Sequence, residues 1–296
     1  VSRPPVVQLY RAGAALARAV PAPVARGVAR TGGTVASRAL HDRRAQVERN
    51  LRRVDPSLSG RHLRRAVDAT FASYGRYWAE SFRLTGLDAG HIDRGFSYTG
   101  YDHVVAAREQ GSGVIIALPH LGGWEWAAFW LAAIEDVPVT AVVEALEPPE
   151  LFEWFVDFRR ALGMNVVPLG PAAGGEVLRA LKAGHAVCLL SDRDIGGGGV
   201  EVELFGERTT LPAGPATLAL RTGAPILPTA IYFDGDLHRA RVDPPLAVER
   251  RGSLRDDVAR VTQDLAHALE DLIRAAPEQW HLMQPNWPSD RADLGH

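Results

Sequence analysis

Strands alternating with helices along residues 95–276 predict an α/β fold on a mixed, mostly parallel sheet, with ligand-binding loops at its carboxyl edge. Three observations support this. Apolar runs of strand length recur at 114–118, 137–144, 165–169, 185–191 and 224–233, separated by segments of helical period. The 46% hydrophobic and 23% charged shares are those of an ordinary globular chain. One cysteine in 296 residues excludes a disulfide framework and a cysteine-rich metal site, and Cys188 in AVCLL reads as a small core residue. The length suits one large domain with an appendage, or two smaller domains. We place the boundary near residue 90, giving a basic helical extension at 1–90 and an α/β core at 91–296.

Residues 5–20 set Val6, Leu9, Gly13, Leu16 and Val20 on one helical stripe, with Arg11 and Arg18 elsewhere on the wheel. The arginines interrupt the run too often for a signal-peptide core or a spanning helix. The pattern fits an interfacial helix lying on a membrane, and equally a helix packed on the protein's own core. Pro21 and Pro23 end it. Helical patterns follow at 24–38, at the basic stretch 43–53, and at 59–84, where Leu63, Val67, Phe71, Tyr74, Trp78 and Phe82 share a side. Residues 1–90 hold 16 arginines and 6 acidic residues, a surplus of +10 in a chain of net charge −2, so the remainder carries −12. Such a surplus suits an anionic partner, acidic lipid or nucleic acid. No zinc finger, phosphate loop or RNA-binding aromatic motif accompanies it, so nucleic acid is the weakest reading.

A short strand at 95–98 and a helix at 101–109 lead into residues 113–134, GVIIALPHLGGWEWAAFWLAAI. A hydropathy scan flags this stretch as a membrane span. Pro119, Gly122 and Gly123 would break such a helix at its centre, and Glu125 would be costly in lipid, so strand, tight turn and helix is the better parse. His120 and Glu125 lie five positions apart, about 500° around one helix, so they can meet only if His120 sits on the turn and Glu125 in the first helical turn. A His at a strand's carboxyl end, backed by a carboxylate, is a candidate general base. Either residue alone has an ordinary explanation, as a core histidine or a helix-dipole partner. Together on a Gly-Gly bend they point to function, and Gly122 and Gly123 bring backbone N–H groups close to whatever binds.

Residues 137–144 are a strand ending in Glu144. Pro148 and Pro149 open a helix with Leu151, Trp154, Phe155, Phe158 and Leu162 on one face and Arg159 and Arg160 upon it. After a strand at 165–169, a helix at 176–182 and a strand at 185–191 comes SDRDIGGGGVEVELFGERTTLPAG. Asp192, Arg193 and Asp194 stand at a strand's end, where such sheets bind ligands. The four glycines lack the spacing of a dinucleotide fingerprint. Val200, Val202 and Leu204 alternate with Glu201 and Glu203, so Glu201 faces solvent by default or reaches His120 from a neighbouring strand. A helix through Arg221, a strand at 224–233, a helix at 256–276 and the tail PEQWHLMQPNW complete the chain.

With these residues in view, the chain resembles the bacterial lipid A lauroyl/myristoyl acyltransferase superfamily, and within it the actinobacterial phosphatidylinositol mannoside acyltransferases. The resemblance is carried by His120-Leu-Gly-Gly-Trp-Glu125 as the family's H-x4-D/E motif. It extends to Phe158-Arg159 with Leu162-Gly163, SDRD with VEVELFGE, LPAGPATLALRTGAPILP, and Gln279-Trp280-His281 with Gln284-Pro285. Many relatives carry Asp where this chain has Glu125, a difference of one methylene. The resemblance implies a glycerol-phosphate-acyltransferase-like fold with helices on both faces of the sheet and an amino-terminal membrane-docking segment. It also implies transfer of a long acyl chain, palmitoyl for preference, from acyl-CoA to a mannose hydroxyl of a phosphatidylinositol mannoside. The expected setting is peripheral, on an anionic membrane surface at the cytoplasmic face of the plasma membrane. No cofactor is expected beyond acyl-CoA as co-substrate, and no metal.

The chemistry of the residues agrees with this. A sugar hydroxyl attacks well only as a base removes its proton, and an imidazole titrating near neutrality suits that task. His120 is the candidate base, with Glu125 or Glu201 fixing its tautomer. Gly122, Gly123 and Trp124 border the reacting atoms, Glu144 and Asp192 stand at neighbouring strand ends, and Arg159 and Arg193 are candidates for phosphates of CoA or the headgroup. The rival readings are an acyltransferase for another glycolipid or lysolipid, one that uses acyl carrier protein, a hydrolase, and a non-catalytic lipid-binding protein.

Overall fold

The computed structural model describes residues 5–144 and 146–292, so 1–4, 145 and 293–296 lie outside the described residues. Four helices come first: α1 (Pro5–Ala19), α2 (Ala22–Ser37), α3 (His41–Val54) and α4 (Gly60–Leu84). Then follow α5 (Ala89–Arg94), β1 (Phe96–Thr99), α6 (Tyr101–Glu109), β2 (Val114–Leu118), α7 (Trp124–Ala133), β3 (Val139–Val143), α8 (Pro149–Ala161) and β4 (Met164–Pro168). The chain continues through α9 (Ala173–Lys182), β5 (Ala186–Leu190), β6 (Val200–Leu204), β7 (Glu207–Leu211), α10 (Gly214–Thr222), β8 (Ile226–Asp234) and β9 (Leu237–Val242). It closes with α11 (Leu254–Arg274), a 3₁₀ turn at Pro277–Gln279, and α12 (Pro288–Ala292).

Seven strands form one sheet in the order β1-β9-β8-β2-β5-β3-β4. Five of them, β8 to β4 in that order, run parallel, while β9 pairs antiparallel with β8 and parallel with β1. The mixed, mostly parallel sheet expected from the sequence is therefore present. Strand period two divides its side chains: Val114, Ile116 and Leu118 pack on one face with α7 and α8, and Ile115 and Ala117 on the other with α9, α10 and α11. Helices cover both faces because crossover connections are right-handed. Moving outward, β2 to β3 to β4, puts α7 and α8 on one face. Moving back, β4 to β5 and on to β8, puts α9 and α10 on the other. The direction reverses between β2 and β5, and that reversal opens a crevice at their carboxyl ends.

The stretch flagged as a possible span resolves into β2, a bend and α7, and no helix among the described residues is long and apolar enough to cross a membrane. Two strands escaped the sequence reading. In β9, His238, Ala240 and Val242 are buried, but intervening arginines mask the alternation. In β7 an inward position is Thr209, a polar residue. The short helices α5 and α12 are likewise too brief to show a period.

The amino-terminal helices pack on the sheet domain. Helices α2 and α4 cross backbone on backbone: a Cβ on Gly75 would lie 2.1 Å from the Ala29 carbonyl oxygen, and one on Gly33 2.2 Å from that of Phe71. On α1, Val7 and Ala14 are buried, and Tyr10 packs among Trp78, Phe82, Trp154 and Phe155. The stripe expected to act as a unit is divided: Leu9 and Leu16 point outward at 71% and 66% exposure, while Val6, Gly13 and Val20 are half-buried. Helix α4 carries Arg76 and Glu80 inward, 2.8 Å apart, with His238 of β9 2.9 Å from the same carboxylate.

Gly75→Ala should therefore cost about 1–3 kcal/mol through overpacking. Gly27→Ala, on the open side of α2 with nothing within 4 Å of a Cβ, should be neutral or stabilising by up to about 1 kcal/mol. Urea unfolding of the two variants measures the contrast.

Candidate active site

The crevice acquires its chemistry from strand register. Leu118 at the end of β2 pairs with Leu190 at the end of β5. Two residues further along each chain stand His120 and Asp192, so parallel pairing delivers them side by side. The Ser191 N–H bonds the Leu118 carbonyl at 2.7 Å and continues the ladder past the strands. Asp192 then meets His120 twice: Oδ1 lies 2.6 Å from ring Nδ1, and Oδ2 accepts the His120 backbone N–H at 3.0 Å.

His120 thus pairs with Asp192, and neither Glu125 nor Glu201 fills that role. Glu125 lies in the first turn of α7, but its carboxylate turns away, accepting the Tyr77 hydroxyl at 2.8 Å and Arg159 at 3.0 Å. It is 2% exposed and does not line the cavity beside His120. Glu201 obeys the alternation of β6. Val202 and Leu204 are buried, while its own side chain is 71% exposed and 3.5 Å from Arg208. Asp192, expected to touch substrate, is completely buried and engaged by His120 and Trp280, whose Nε1–H donates at 2.7 Å. The sequence held a signal for this in the SDRD motif at a strand end, but nothing local told which carboxylate would be the neighbour.

The two glycines also differ from expectation. Gly122 has φ +58°, and a Cβ there would meet the Ile231 carbonyl oxygen at 1.7 Å, so the bend requires glycine. Its N–H donates to the Gln279 carbonyl at 3.0 Å and is not free for an oxyanion. Gly123 precedes α7 and packs on the His238 ring, 3.1 Å from a notional Cβ, and it does not line the cavity.

What the crevice does hold is a cavity of about 670 Å³, within the roughly 300–1,000 Å³ common for small-molecule sites. His120, Gly122, Trp124, Glu144, Arg159 and Arg193 all line it. Arg159 is 5.2 Å from the Trp124 ring, and Arg193 lies 3.7 Å from Glu144. Tyr77 of α4 and His281 of the tail join the same wall, and neither was singled out as a site residue from sequence. The lining also includes the apolar Val142, Ala173, Val177, Leu189 and Leu218 and the loop of glycines 196–199. Cys188 also lines it, but burial pushes its thiol up to about 12, so it is no nucleophile. Among the described residues, no group of three or more His, Cys, Asp or Glu is placed to hold a metal ion.

Electrostatics distinguish the two histidines. Burial would lower the titration of His120, but the charge and hydrogen bond of Asp192 outweigh it and raise the ring above its ordinary value. Burial works against the Asp192 carboxylate too, yet His120, Trp280 and the backbone hold it below the usual range. An ionised carboxylate accepts only, so Nδ1 carries the proton and Nε2 is the acceptor of the neutral ring. His281 is pushed down to about 3 by burial and by His120, and stays neutral with its Nε2 2.9 Å from Ser73 Oγ.

Comparison with known proteins agrees with the resemblance read from the motifs. The family model described as bacterial lipid A biosynthesis acyltransferase matches residues 3–289. A phosphatidylinositol mannoside acyltransferase of Mycolicibacterium smegmatis is 38% identical over 287 residues, covering 96% of this chain and 92% of that protein. The protein of the same name from Mycobacterium tuberculosis strain H37Rv is 38% identical over 294 residues, covering 96% and 89%. A lipid A biosynthesis acyltransferase of Haemophilus influenzae is 22% identical over 256 residues, covering 85% and 78%.

The two glutamates should separate on substitution. Glu125→Ala leaves the Arg159 guanidinium without its buried partner and should cost about 3–5 kcal/mol. Glu201→Ala should stay within about 0.5 kcal/mol of the parent. Chemical denaturation of both variants checks this.

Proposed function

The chain belongs to the bacterial lipid A biosynthesis acyltransferase family, and from that premise we propose that it transfers a long-chain fatty acyl group, palmitoyl for preference, from acyl-CoA to a mannose hydroxyl of a phosphatidylinositol mannoside. The acceptor is that of the two mycobacterial relatives at 38% identity, both phosphatidylinositol mannoside acyltransferases. The observation that carries the chemistry is His120, backed by the buried Asp192, on the wall of a cavity whose lining combines apolar side chains with Arg159 and Arg193. A fatty chain suits the apolar side chains and a phosphate the two arginines.

In this reading Nε2 of His120 takes the proton of the sugar hydroxyl as its oxygen attacks the thioester carbonyl. Asp192 holds the tautomer and stabilises the imidazolium. Collapse of the tetrahedral intermediate breaks the carbon–sulfur bond, and the proton passes from His120 to the departing CoA thiolate. A thioester is already activated, so no acyl-enzyme is needed. The site of action is a membrane surface. Leu9 and Leu16 form an exposed apolar stripe on α1 and Val24, Val28 and Val35 one on α2, and Arg11, Arg30 and Arg38 are exposed elsewhere along the same segment. Apolar burial with attraction to anionic lipid supports peripheral docking, on the cytoplasmic face where acyl-CoA is found.

Incubation with palmitoyl-CoA and a panel of lipid acceptors, read by CoA release and product mass, tests the proposal. His120→Ala should lower transfer by about 10²–10⁴ with the fold intact. CoA release with free fatty acid in place of acylated lipid would favour a hydrolase, and lipid binding without turnover a carrier. The neutral ring is the active form, so kcat/KM should rise with pH through an acid limb centred above about 6.5. Asp192→Asn should move that limb to lower pH while reducing the rate, because burial then acts on His120 without its opposing charge.

Docking is tested separately. Leu9→Asp combined with Val28→Asp should abolish flotation with anionic vesicles while leaving turnover of detergent-dispersed substrate within about twofold. Unchanged flotation would reject α1 and α2 as the docking face.

A further inference from the structure

His120 lies beyond the last paired residue of β2, on a bend that touches the main sheet again only where Gly122 makes a parallel bridge with Ile231 of β8. The carboxyl-terminal tail holds the bend as well. Leu121 and Trp280 form an antiparallel bridge, the Gly122 N–H bonds the Gln279 carbonyl at 3.0 Å, and the His281 N–H bonds the His120 carbonyl at 2.7 Å. From the same three tail residues the Trp280 indole reaches Asp192 Oδ2 at 2.7 Å. That side chain is 3% exposed, set between the rings of Phe205 and Trp287. Further along the tail, Asn286 Nδ2 donates to the Asp192 carbonyl oxygen at 3.1 Å.

The geometry assigns Trp280 as the positioning residue of the pair: its indole N–H fixes the Asp192 carboxylate so that Oδ1 meets Nδ1 of His120, while the adjoining tail backbone fixes the bend that carries the histidine. This deepens the reading of His120 as general base and rests on it. A carboxylate turns readily about its last torsion, which is broad and roughly two-fold. Three donors arriving together, the His120 ring, the His120 backbone and the Trp280 indole, leave one orientation that satisfies all of them. Remote chain thereby completes a site whose two reacting neighbours come from strand ends 72 residues apart.

Trp280→Phe keeps an aromatic ring and removes the donor. With KM for palmitoyl-CoA unchanged, kcat should fall on the order of tenfold to a hundredfold, the worth of one hydrogen bond to a charged group. The acid limb should also move to higher pH, because a carboxylate that loses one donor concentrates its charge on the imidazolium. Arg193, Glu144 and His281, which also face or adjoin His120, are left in place by this substitution. Direct titration of the His120 ring by nuclear magnetic resonance reads the same shift without turnover. A failure of the functional reading, with wild-type protein inert towards every acceptor, therefore leaves this test intact. A folded Trp280→Phe protein whose His120 titration and low-field ring proton match wild type overturns the assignment. If the phenylalanine variant does not fold, benzothienylalanine at position 280, which preserves the indole's shape without its N–H, gives the same two outcomes.

Discussion

Parallel pairing of β2 with β5 is the constraint on which this molecule turns. A parallel ladder sets equivalent positions of two strands level with each other, so residues equally far beyond its last rung emerge as neighbours. Leu118 and Leu190 are that rung, and His120 and Asp192 are what emerges. Both strands are buried on both faces, which makes a slip of one residue prohibitive because every side chain would change face. The precision of a contact of 2.6 Å is thus underwritten by an apolar core that takes no part in chemistry.

Two buried carboxylates near the bend do different work. Asp192 is surrounded by donors and faces a titrating ring. Glu125 faces a permanent cation and a phenol, Arg159 and Tyr77, and ties α7 to α8 and α4. The motif that joins His120 to Glu125 in sequence therefore describes one continuous construction with two functions: the histidine enters the cavity, and the acid holds two of the cavity's other walls in place. The direction in which a helix begins explains the division. The side chain of Glu125 points away from the strand end towards α4 and α8, the elements packed above it.

The amino-terminal helices serve the same site from outside. Helix α4 is brought close by the glycine crossing with α2 and contributes Tyr74, Tyr77 and Trp78 to the cavity. Helices α1 and α2 also carry exposed leucine, valine and arginine.

Much of this was legible in the chain itself. Period and punctuation located the core strands, the long helices and the bend at Gly122-Gly123. A histidine on that bend stood out because apolar sequence surrounds it. Period two along β6 already favoured a solvent-facing Glu201. Tertiary structure alone decided which acid meets His120, since strand order places β5, and not its sequence neighbour β3, beside β2. It alone showed that the Gly122 N–H is bound by the tail, and that Trp280 reaches Asp192 across 88 residues. Local sequence determines torsions, periodicity and the chemical character of a segment. Contacts between distant segments depend on register and crossover, which only the assembled sheet defines.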